Sequence, residues 1–228
     1  MQNWKVNPSE AVQIQQELRN KIVLKKLDKD IQYIAGTDIS LNLDSDIAYA
    51  GIIVLDYGTL QPVAYAAAMG KIDFPYIPGL LSFREIPALM QAWEQLPVQP
   101  DVVMVDGHGI AHPRRMGIAT HFGLVIDTPT LGCAKKILTG KYAMPLPEKG
   151  SYSEIKSREE VLGYALRTRT NVKPVFVSPG HLITHIESLQ IAQHCAVKYR
   201  LPEPTRLAHQ LVNRLRRGEI EEGVKSFS

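Results

Sequence analysis

The segment DVVMVDGHG constrains the fold of this chain more than any other part of the sequence. Its residues 102–105 form an unbroken apolar run, which is typical of a strand buried on both faces of a sheet. Because such a strand needs helices packed on both sides, the segment predicts an α/β architecture. Asp106, Gly107 and Gly109 follow at the carboxyl end of this strand, where open α/β sheets bind their ligands.

The remaining elements predict a mixed sheet in the order βββαβαβα, with helices on both faces. Three strands are predicted near the start, at residues 31–41 and in the segment IAYAGIIVLDYGTLQPVAYAAAMG with a turn at Asp56-Tyr57-Gly58, and together they form an antiparallel meander. Later strands are predicted at 129–134 and 175–177. Helices are predicted at 8–30, about 87–95, 184–199 and 205–217, the last with Thr205 as its cap.

Length and composition predict one domain over residues 1–228. The chain has 228 residues, 45% of them hydrophobic, without an internal repeat or a Gly/Ser-rich linker. No secretory signal and no apolar run of about 18 residues is present, so we expect a cytoplasmic protein without a membrane partner. Cys133 and Cys195 lie in apolar runs, which favours buried free thiols over a disulfide.

The net charge of +3 is small, but the basic residues are clustered. Pairs or groups occur at residues 25–26, 114–115, 135–136, 167–169 and 214–217. Such clusters suit a surface that follows phosphates, although any single pair is more typical of a solvated face.

Two aspartates stand at positions that suit a metal ion. Asp38 lies inside the apolar strand IAGTDISL, where a carboxylate is costly unless it is paired or bound to a cation. Asp106 ends another strand, and carboxylate oxygens are the ligands that Mg²⁺ prefers. If the two strands are neighbours, the carboxylates converge. The alternatives are a buried ion pair or turn cap for Asp38 and an ordinary Asp-Gly turn for Asp106.

Three further residues are candidates for the same site. Glu85 is a possible third carboxylate, although Ser82-x-x-Glu85 also has the form of a capping box. Lys135 follows the strand TLGCAK, where its cation would hold a phosphate unless it is only a surface lysine. His209 lies on the last predicted helix and faces either the core or a cleft.

The histidines suggest a rival zinc site. His181 and His185 have the i, i+4 spacing of two ligands on one helix face, and His108 and His112 are further candidates. The glutamate of an H-E-x-x-H motif is absent, so capping or core roles are the alternative.

The stretch FPYIPGLLSFREIP, residues 74–87, which we call the arch, holds a tyrosine between two prolines. Pro75 and Pro78 fix φ and remove two backbone donors, so the start of the arch is neither helix nor interior strand. Tyr76 therefore either fills the core of the protein or is held rigidly to enter a partner.

Several of these segments together resemble the endonuclease V family of deoxyinosine-specific nucleases. The resemblance rests on IAGTDIS, FPYIPGLLSFRE, PDVVMVDGHGIAHPRRMGIATHFGL, PTLGCAKK and YRLPEPTRLAH, and it covers roughly residues 25–209. It implies an RNase H-like fold, which is a mixed sheet flanked by helices.

The resemblance also implies roles for individual residues. Asp38, Glu85 and Asp106 match the acidic centre of the family, which binds Mg²⁺, or Mn²⁺ as a substitute. Tyr76 matches a tyrosine that acts as a wedge in DNA. The matches to Lys135 and His209 complete the expected catalytic set. The expected substrate contacts are Tyr76, Pro75, Ile77, Pro78, Gly79, Leu81, Gly107, Gly109 and His112.

The resemblance implies a DNA repair endonuclease that cleaves the second phosphodiester bond 3′ to deoxyinosine and leaves 3′-hydroxyl and 5′-phosphate ends. We expect a monomer that acts on DNA containing deoxyinosine, with other deaminated or mismatched bases as further candidates. The alternatives are an inosine-specific ribonuclease and a non-catalytic inosine-binding protein.

Overall fold

The centre of the molecule is one mixed sheet, as the sequence predicted. The computed structural model describes residues 3–42 and 46–227. Residues 1, 2, 43–45 and 228, which belong to the predicted domain range, lie outside the described residues. Among the described residues, no helix has the length and apolar character that crossing a membrane requires.

The described residues form nine strands and five helices. The strands are β1 Tyr33–Leu41, β2 Ile47–Asp56, β3 Pro62–Lys71, β4 Val102–Val105, β5 Thr130–Ala134, β6 Tyr152–Ser157, β7 Glu160–Leu166, β8 Val175–His181 and β9 Gly223–Ser226. The helices are α1 Pro8–Arg19, α2 Leu81–Trp93, α3 Ile118–Ile126, α4 His185–Cys195 and α5 Glu203–Arg216.

The strand order is β6-β7-β8-β5-β4-β1-β2-β3-β9. Strands β1, β2 and β3 form the predicted antiparallel meander, whereas β4 pairs parallel to both β1 and β5. The carboxyl ends of β1, β4 and β5 therefore meet at one edge of the sheet, which we call the carboxyl edge.

Helices cover both faces of the sheet and bury two apolar cores. On one face, α4 and α5 pack on β1, β5 and β8 through residues that include Leu189 and Leu211. On the other face, α2 and α3 pack on β1, β2 and β3 through residues that include Leu89 and Phe122. Cys133 and Cys195 are buried and free, as predicted.

Helix α2 begins six residues before the predicted start, so Pro87 lies inside it. Proline in a helix interior costs about 3 kcal/mol, which is why the sequence predicted a start at Pro87. The buried face of α2, which includes Ile86 and Leu89, offsets this cost by packing on the sheet. Because the N-cap is Leu80, Ser82 and Glu85 lie within the helix, and the capping-box alternative is wrong.

Other boundaries differ from the prediction for similar reasons. Helix α1 ends at Arg19 instead of residue 30, since residues 21–32 bond to other elements. For example, the backbone N–H of Leu27 donates to Glu187 at 3.0 Å. Helix α5 begins at Glu203, so Thr205 is not its cap; the hydroxyl of Thr205 donates to the Pro202 carbonyl instead. Helix α4 has Thr184 as its N-cap, in a capping box with Glu187.

Candidate active site at the carboxyl edge

Asp38 and Asp106 lie side by side because β1 and β4 are parallel neighbours. Thr37 is in register with Val105, and the N–H of Asp106 donates to the Thr37 carbonyl at 3.1 Å. Neighbouring strands are about 4.8 Å apart, so the two aspartates emerge next to one another. The two strands are therefore neighbours, as the convergence of the two carboxylates required.

A cavity of about 290 Å³, which we call the acidic cavity, contains all five predicted catalytic side chains. They come from five different elements or their ends: Asp38, Glu85, Asp106, Lys135 and His209. Its wall also includes residues that the sequence did not single out, among them Thr37, Ser40, Leu89 and Ile118. Some of these residues lie near Asp38 in the chain or on the same helix as Glu85, but nothing else in the sequence predicts that they line the cavity.

Each aspartate of the acidic cavity has a basic partner. The Lys135 ammonium group forms an ion pair with Asp106. The Nδ1 atom of His209 lies 2.7 Å from the Asp38 carboxylate. Both aspartates are largely buried, whereas His209 is half exposed, so the cavity opens to solvent on the side of α5.

The three acidic groups repel one another. Burial, followed by the nearby charges of Asp38 and Asp106, raises the pKa of Glu85 to about 8. Burial, followed by the charge of Asp106, raises the pKa of Asp38 to about 6, although His209 and Lys135 act to lower it. A cation within reach of all three oxygens would remove this repulsion.

The donor set of the acidic cavity fits a hard divalent cation. Mg²⁺ uses one or two carboxylates and keeps several waters, so it does not require a complete protein cage. Within residues 3–42 and 46–227, no three His, Cys, Asp or Glu side chains form a finished metal site. Asp38 and Asp106 are instead paired with His209 and Lys135.

His209 is held in a defined orientation. Its Nδ1 atom faces Asp38, and its Nε2 atom lies 3.1 Å from the side-chain amide nitrogen of Asn213, one turn later on α5. A neutral imidazole satisfies both contacts if Nδ1 donates to the carboxylate and Nε2 accepts from the amide. Of the two orientations that the sequence left open for His209, the structure places it at the cleft.

A second cavity of about 260 Å³, which we call the arch cavity, adjoins the acidic cavity. Glu85, Asp106 and Ile118 line both. Six of the nine predicted substrate contacts line the arch cavity: Tyr76, Pro78, Gly79, Leu81, Gly107 and His112. Ser82, His108, Met116, Gly117 and Leu138 also line it.

The other three predicted contacts lie outside the lining of the arch cavity. Pro75 is exposed, and Ile77 packs against the small core beneath the arch. Gly109 supports β8 instead: its N–H donates to the Ser178 hydroxyl at 2.9 Å, and a Cβ atom would lie only 2.0 Å from the Pro179 carbonyl oxygen.

The arch owes its stiffness to a tight turn. The N–H of Leu80 donates to the Ile77 carbonyl at 3.0 Å, with Pro78 and Gly79 between them. Gly79 has φ +81°, as the third position of a type II turn requires, and glycine adopts that angle without strain.

The carbonyl of Gly79 is clamped by two side chains. Gln15 donates to it at 3.0 Å and Arg114 at 2.8 Å, and Arg114 also donates to the Gln15 side chain at 2.6 Å. At the start of the arch, Arg84 donates to the Phe74 carbonyl at 3.0 Å. Gln15, which is fully buried, could not be identified from the sequence because its partners are 64 and 99 residues away.

The ring of Tyr76 does not fill the core of the protein. Its residue is 66% exposed, whereas Phe74 is buried and packs on Phe83. The arch therefore presents a rigidly supported aromatic ring at the mouth of the arch cavity.

The two histidines of the arch cavity are uncharged near neutral pH. Burial lowers the pKa of His108 and of His112 to about 4. His112 also accepts the backbone N–H of Arg114 at 3.2 Å. The surroundings of this cavity therefore suit an uncharged polar ligand.

The rival zinc cluster does not form. His181 ends β8 and lies near the N–H of Val23, whereas His185 begins α4 and bonds to the Val161 carbonyl at 2.9 Å. The two imidazoles do not share a helix face. The zinc interpretation is therefore wrong for the described residues.

Comparison with known proteins gives one consistent family. The family model for Endonuclease V matches residues 16–210. Endonuclease V of Myxococcus xanthus is 50% identical over 220 residues, which cover 96% of this chain and 93% of that protein.

Solved structures agree with this family. Endonuclease V from Streptomyces avermitilis superposes with a TM-score of 0.90 at 38% identity, covering 95% of this chain and 96% of that one. Ciona intestinalis Endonuclease V, in complex with a 24mer DNA containing an inosine followed by a ribo-adenosine, superposes with a TM-score of 0.83 at 29% identity, covering 93% and 98%.

Proposed function

The chain belongs to the endonuclease V family of nucleases, and we propose that it repairs DNA by cleaving the second phosphodiester bond 3′ to a deoxyinosine. The reaction would use Mg²⁺ and leave 3′-hydroxyl and 5′-phosphate ends. One observation carries this proposal. The arch cavity, which suits a flipped base, shares a wall with the acidic cavity, which suits a phosphate and a cation.

Asp38, Asp106 and Glu85 would hold the metal ion, with Mn²⁺ as a possible substitute for Mg²⁺. When bound, such an ion activates water and neutralises charge on the scissile phosphate. Burial of the carboxylates, together with their mutual repulsion, raises the pKa values of Glu85 and Asp38 and supports a cation at this place.

In this proposal Lys135 binds the phosphate and His209 transfers a proton. Lys135 carries a positive charge on the edge of the acidic cavity, so it can hold a phosphate oxygen once the cation shares Asp106. His209 keeps the Asp38 carboxylate oriented and is exposed enough to exchange a proton with water or with a leaving oxygen.

Tyr76 would replace the base that leaves the stack. A base in duplex DNA must be extruded before a pocket can read it, at a cost of a few kcal/mol. Stacking of a base on an aromatic ring is worth roughly 1–3 kcal/mol, which offsets much of this cost. The clamp on Gly79 keeps the ring from yielding when it enters the DNA.

Backbone donors at the start of α2 suit hypoxanthine. The helix begins at Leu81, and no described side chain caps its N-terminus. The N–H of Phe83 donates to the Leu80 carbonyl at 3.1 Å, so the N–H groups of Leu81 and Ser82 are the ones available beside the arch cavity. Hypoxanthine presents an acceptor oxygen where adenine presents an amino donor, so donors at this position reject adenine. Gly107 allows close approach of the backbone to the base.

The proposal is tested by cleavage of a labelled duplex that carries one deoxyinosine, with a matched duplex carrying adenine as the control. We expect a single nick at the second bond 3′ to deoxyinosine, lost on addition of EDTA and restored by excess Mg²⁺. Binding without a nick would instead indicate a non-catalytic inosine-binding protein. Because one copy of the chain contains both cavities, we expect a monomer to be sufficient.

A second candidate is cleavage at inosine in RNA. One observation favours it: the Ciona intestinalis relative was solved with an inosine followed by a ribo-adenosine. Paired substrates that differ only in the 2′-hydroxyl groups would decide between the two. Faster cleavage of the ribose-containing strand would make RNA the preferred substrate of this chain.

A further inference from the structure

The carboxyl edge continues beyond the acidic cavity. Strand β5 ends beside the start of β8, since Ala134 pairs with Phe176, and β8 starts beside the end of β7, since Leu166 pairs with Val175. The loops that follow β5 and β7 therefore stand on the same edge of the sheet as Asp106.

Three segments on this part of the edge form what we call the basic platform: residues 145–150, 167–174 and 196–202. The segments are bonded to one another. The N–H of Asn171 donates to the Pro147 carbonyl at 2.9 Å, the Thr168 hydroxyl donates to the Arg200 carbonyl at 2.6 Å, and the Lys149 ammonium donates to the Val197 carbonyl at 2.8 Å.

The basic platform is strongly one-sided in charge. Its only acidic residue is Glu148, against six basic residues: Lys149, Arg167, Arg169, Lys173, Lys198 and Arg200. The chain as a whole has 26 basic and 23 acidic residues, so this excess is local.

Besides Lys149, two of the six basic residues hold the platform together. Arg167 is buried and donates to the carbonyls of Pro145 and Leu146 at 2.8 and 2.9 Å. Arg200 donates to the Pro174 carbonyl at 2.8 Å and to the carbonyl of Lys135 at 2.7 Å. The second bond of Arg200 connects the platform to the acidic cavity.

Three exposed cations of the platform are available to a partner. Within residues 3–42 and 46–227, no carboxylate forms an ion pair with Arg169, Lys173 or Lys198, all of which are exposed. At the opposite edge of the sheet, Lys25 pairs with Asp28 and Lys29 with Asp101, whereas Lys26 and Arg158, like the platform cations, form no ion pair with a described carboxylate. Because hydrogen bonds join the three segments that carry these cations, and no described carboxylate pairs with them, this surface suits an anionic partner.

We propose that the basic platform binds the phosphate backbone of the nucleic acid on one side of the cleavage site. The location rests on the proposed function, because it assumes that the strand to be cut passes through the acidic cavity. Three strand spacings separate β4 from β7, or about 14 Å. At 3.4 Å per base pair, the platform would contact phosphates about four base pairs from the scissile bond.

Salt dependence of binding tests the platform directly. The triple variant Arg169→Ala/Lys173→Ala/Lys198→Ala is compared with Lys25→Ala/Lys26→Ala/Arg158→Ala, which removes the same charge from the opposite edge. Affinity for an inosine-free duplex is measured in EDTA over a range of salt concentrations. Each lost phosphate contact lowers the slope of log K against log salt by about 0.9, so we expect a fall of about 2 to 3 in the platform variant and none in the control. Equal slopes in all three proteins would overturn the proposal.

Duplex length provides a second test. Shortening the duplex to about three base pairs on one side of the scissile bond should weaken binding by the parent several-fold, whereas the platform variant should be insensitive to it. The same shortening on the other flank should affect both proteins equally. Parent and variant responding alike on both flanks would refute the platform. A chain that binds DNA with the expected slopes but nicks no deoxyinosine would refute the proposed function and leave the platform standing.

Discussion

Without a divalent cation, the free energy of unfolding of this protein should decrease as the pH rises, because Glu85 binds a proton more strongly in the folded state than in the unfolded state. The pKa of Glu85 is about 8 in the folded chain, mainly from burial, against 4.5 for the free group. Between these values the folded state binds more protons than the unfolded state. The free energy of unfolding therefore decreases as the pH rises from about 4.5 through about 8.

The magnitude is clearest between about pH 6.5 and 8. Below 6.5, the buried His108, His112 and His121 act with the opposite sign, since their pKa values of about 4, 4 and 3 make the folded state bind fewer protons. The contribution of Asp38, whose pKa is about 6, is already complete in this window. Each pH unit is worth up to about 1.4 kcal/mol, so Glu85 alone should cost about 1.5 kcal/mol across the window.

Urea unfolding of the EDTA-treated protein measures this effect, with Glu85→Gln as the matched control. The parent should lose about 1.5 kcal/mol relative to the variant across the window, and excess Mg²⁺ should restore it, since binding to the folded state alone stabilises that state. Parallel pH profiles of parent and variant would refute the reasoning. So would an Mg²⁺ effect of equal size in both proteins.

The remaining predictions concern the two cavities. Tyr76→Ala should weaken binding to deoxyinosine duplex by roughly 1–3 kcal/mol, measured by titration, while Tyr76→Phe binds like the parent and Mg²⁺ binding is unchanged in both. Asp38→Asn or Asp106→Asn should abolish nicking but leave duplex binding intact; nicking by either variant in Mg²⁺ would contradict the assignment. Gly107→Ala places a Cβ atom 2.4 Å from the Ile118 Cγ2 atom and should reduce the preference for inosine over adenine duplex in competition assays. Gln15→Ala should lower the free energy of unfolding in urea by about 1–3 kcal/mol, because Arg114 loses a buried partner. An unchanged value would show that the clamp on Gly79 does not stabilise the fold.

Local patterns were sufficient where one segment carries its own signal. The apolar run of β4, the meander of β1 to β3 and the start of α4 follow from residue types within a few positions of each other, whereas α4 ends at Cys195 and not at the predicted residue 199. Helix α3 was not predicted, because IATHFGLVI is apolar on nearly every face and shows no helical periodicity. Strands β6 and β9 lie in polar segments at the two edges of the sheet, where burial imposes little alternation, and β7 is an apolar strand that was not predicted.

The sequence by itself determined the α/β class and indicated Asp38 and Asp106, because an apolar run and a buried charge are costly in any other arrangement, and its motifs identified the family by resemblance. Only the tertiary structure decided the rest. It extended α2 through Pro87, joined Gln15 and Arg114 at the arch, and assembled the basic platform from three distant loops. These features depend on contacts between residues that are tens of positions apart in the sequence. Such contacts produce no recognisable pattern among neighbouring residues.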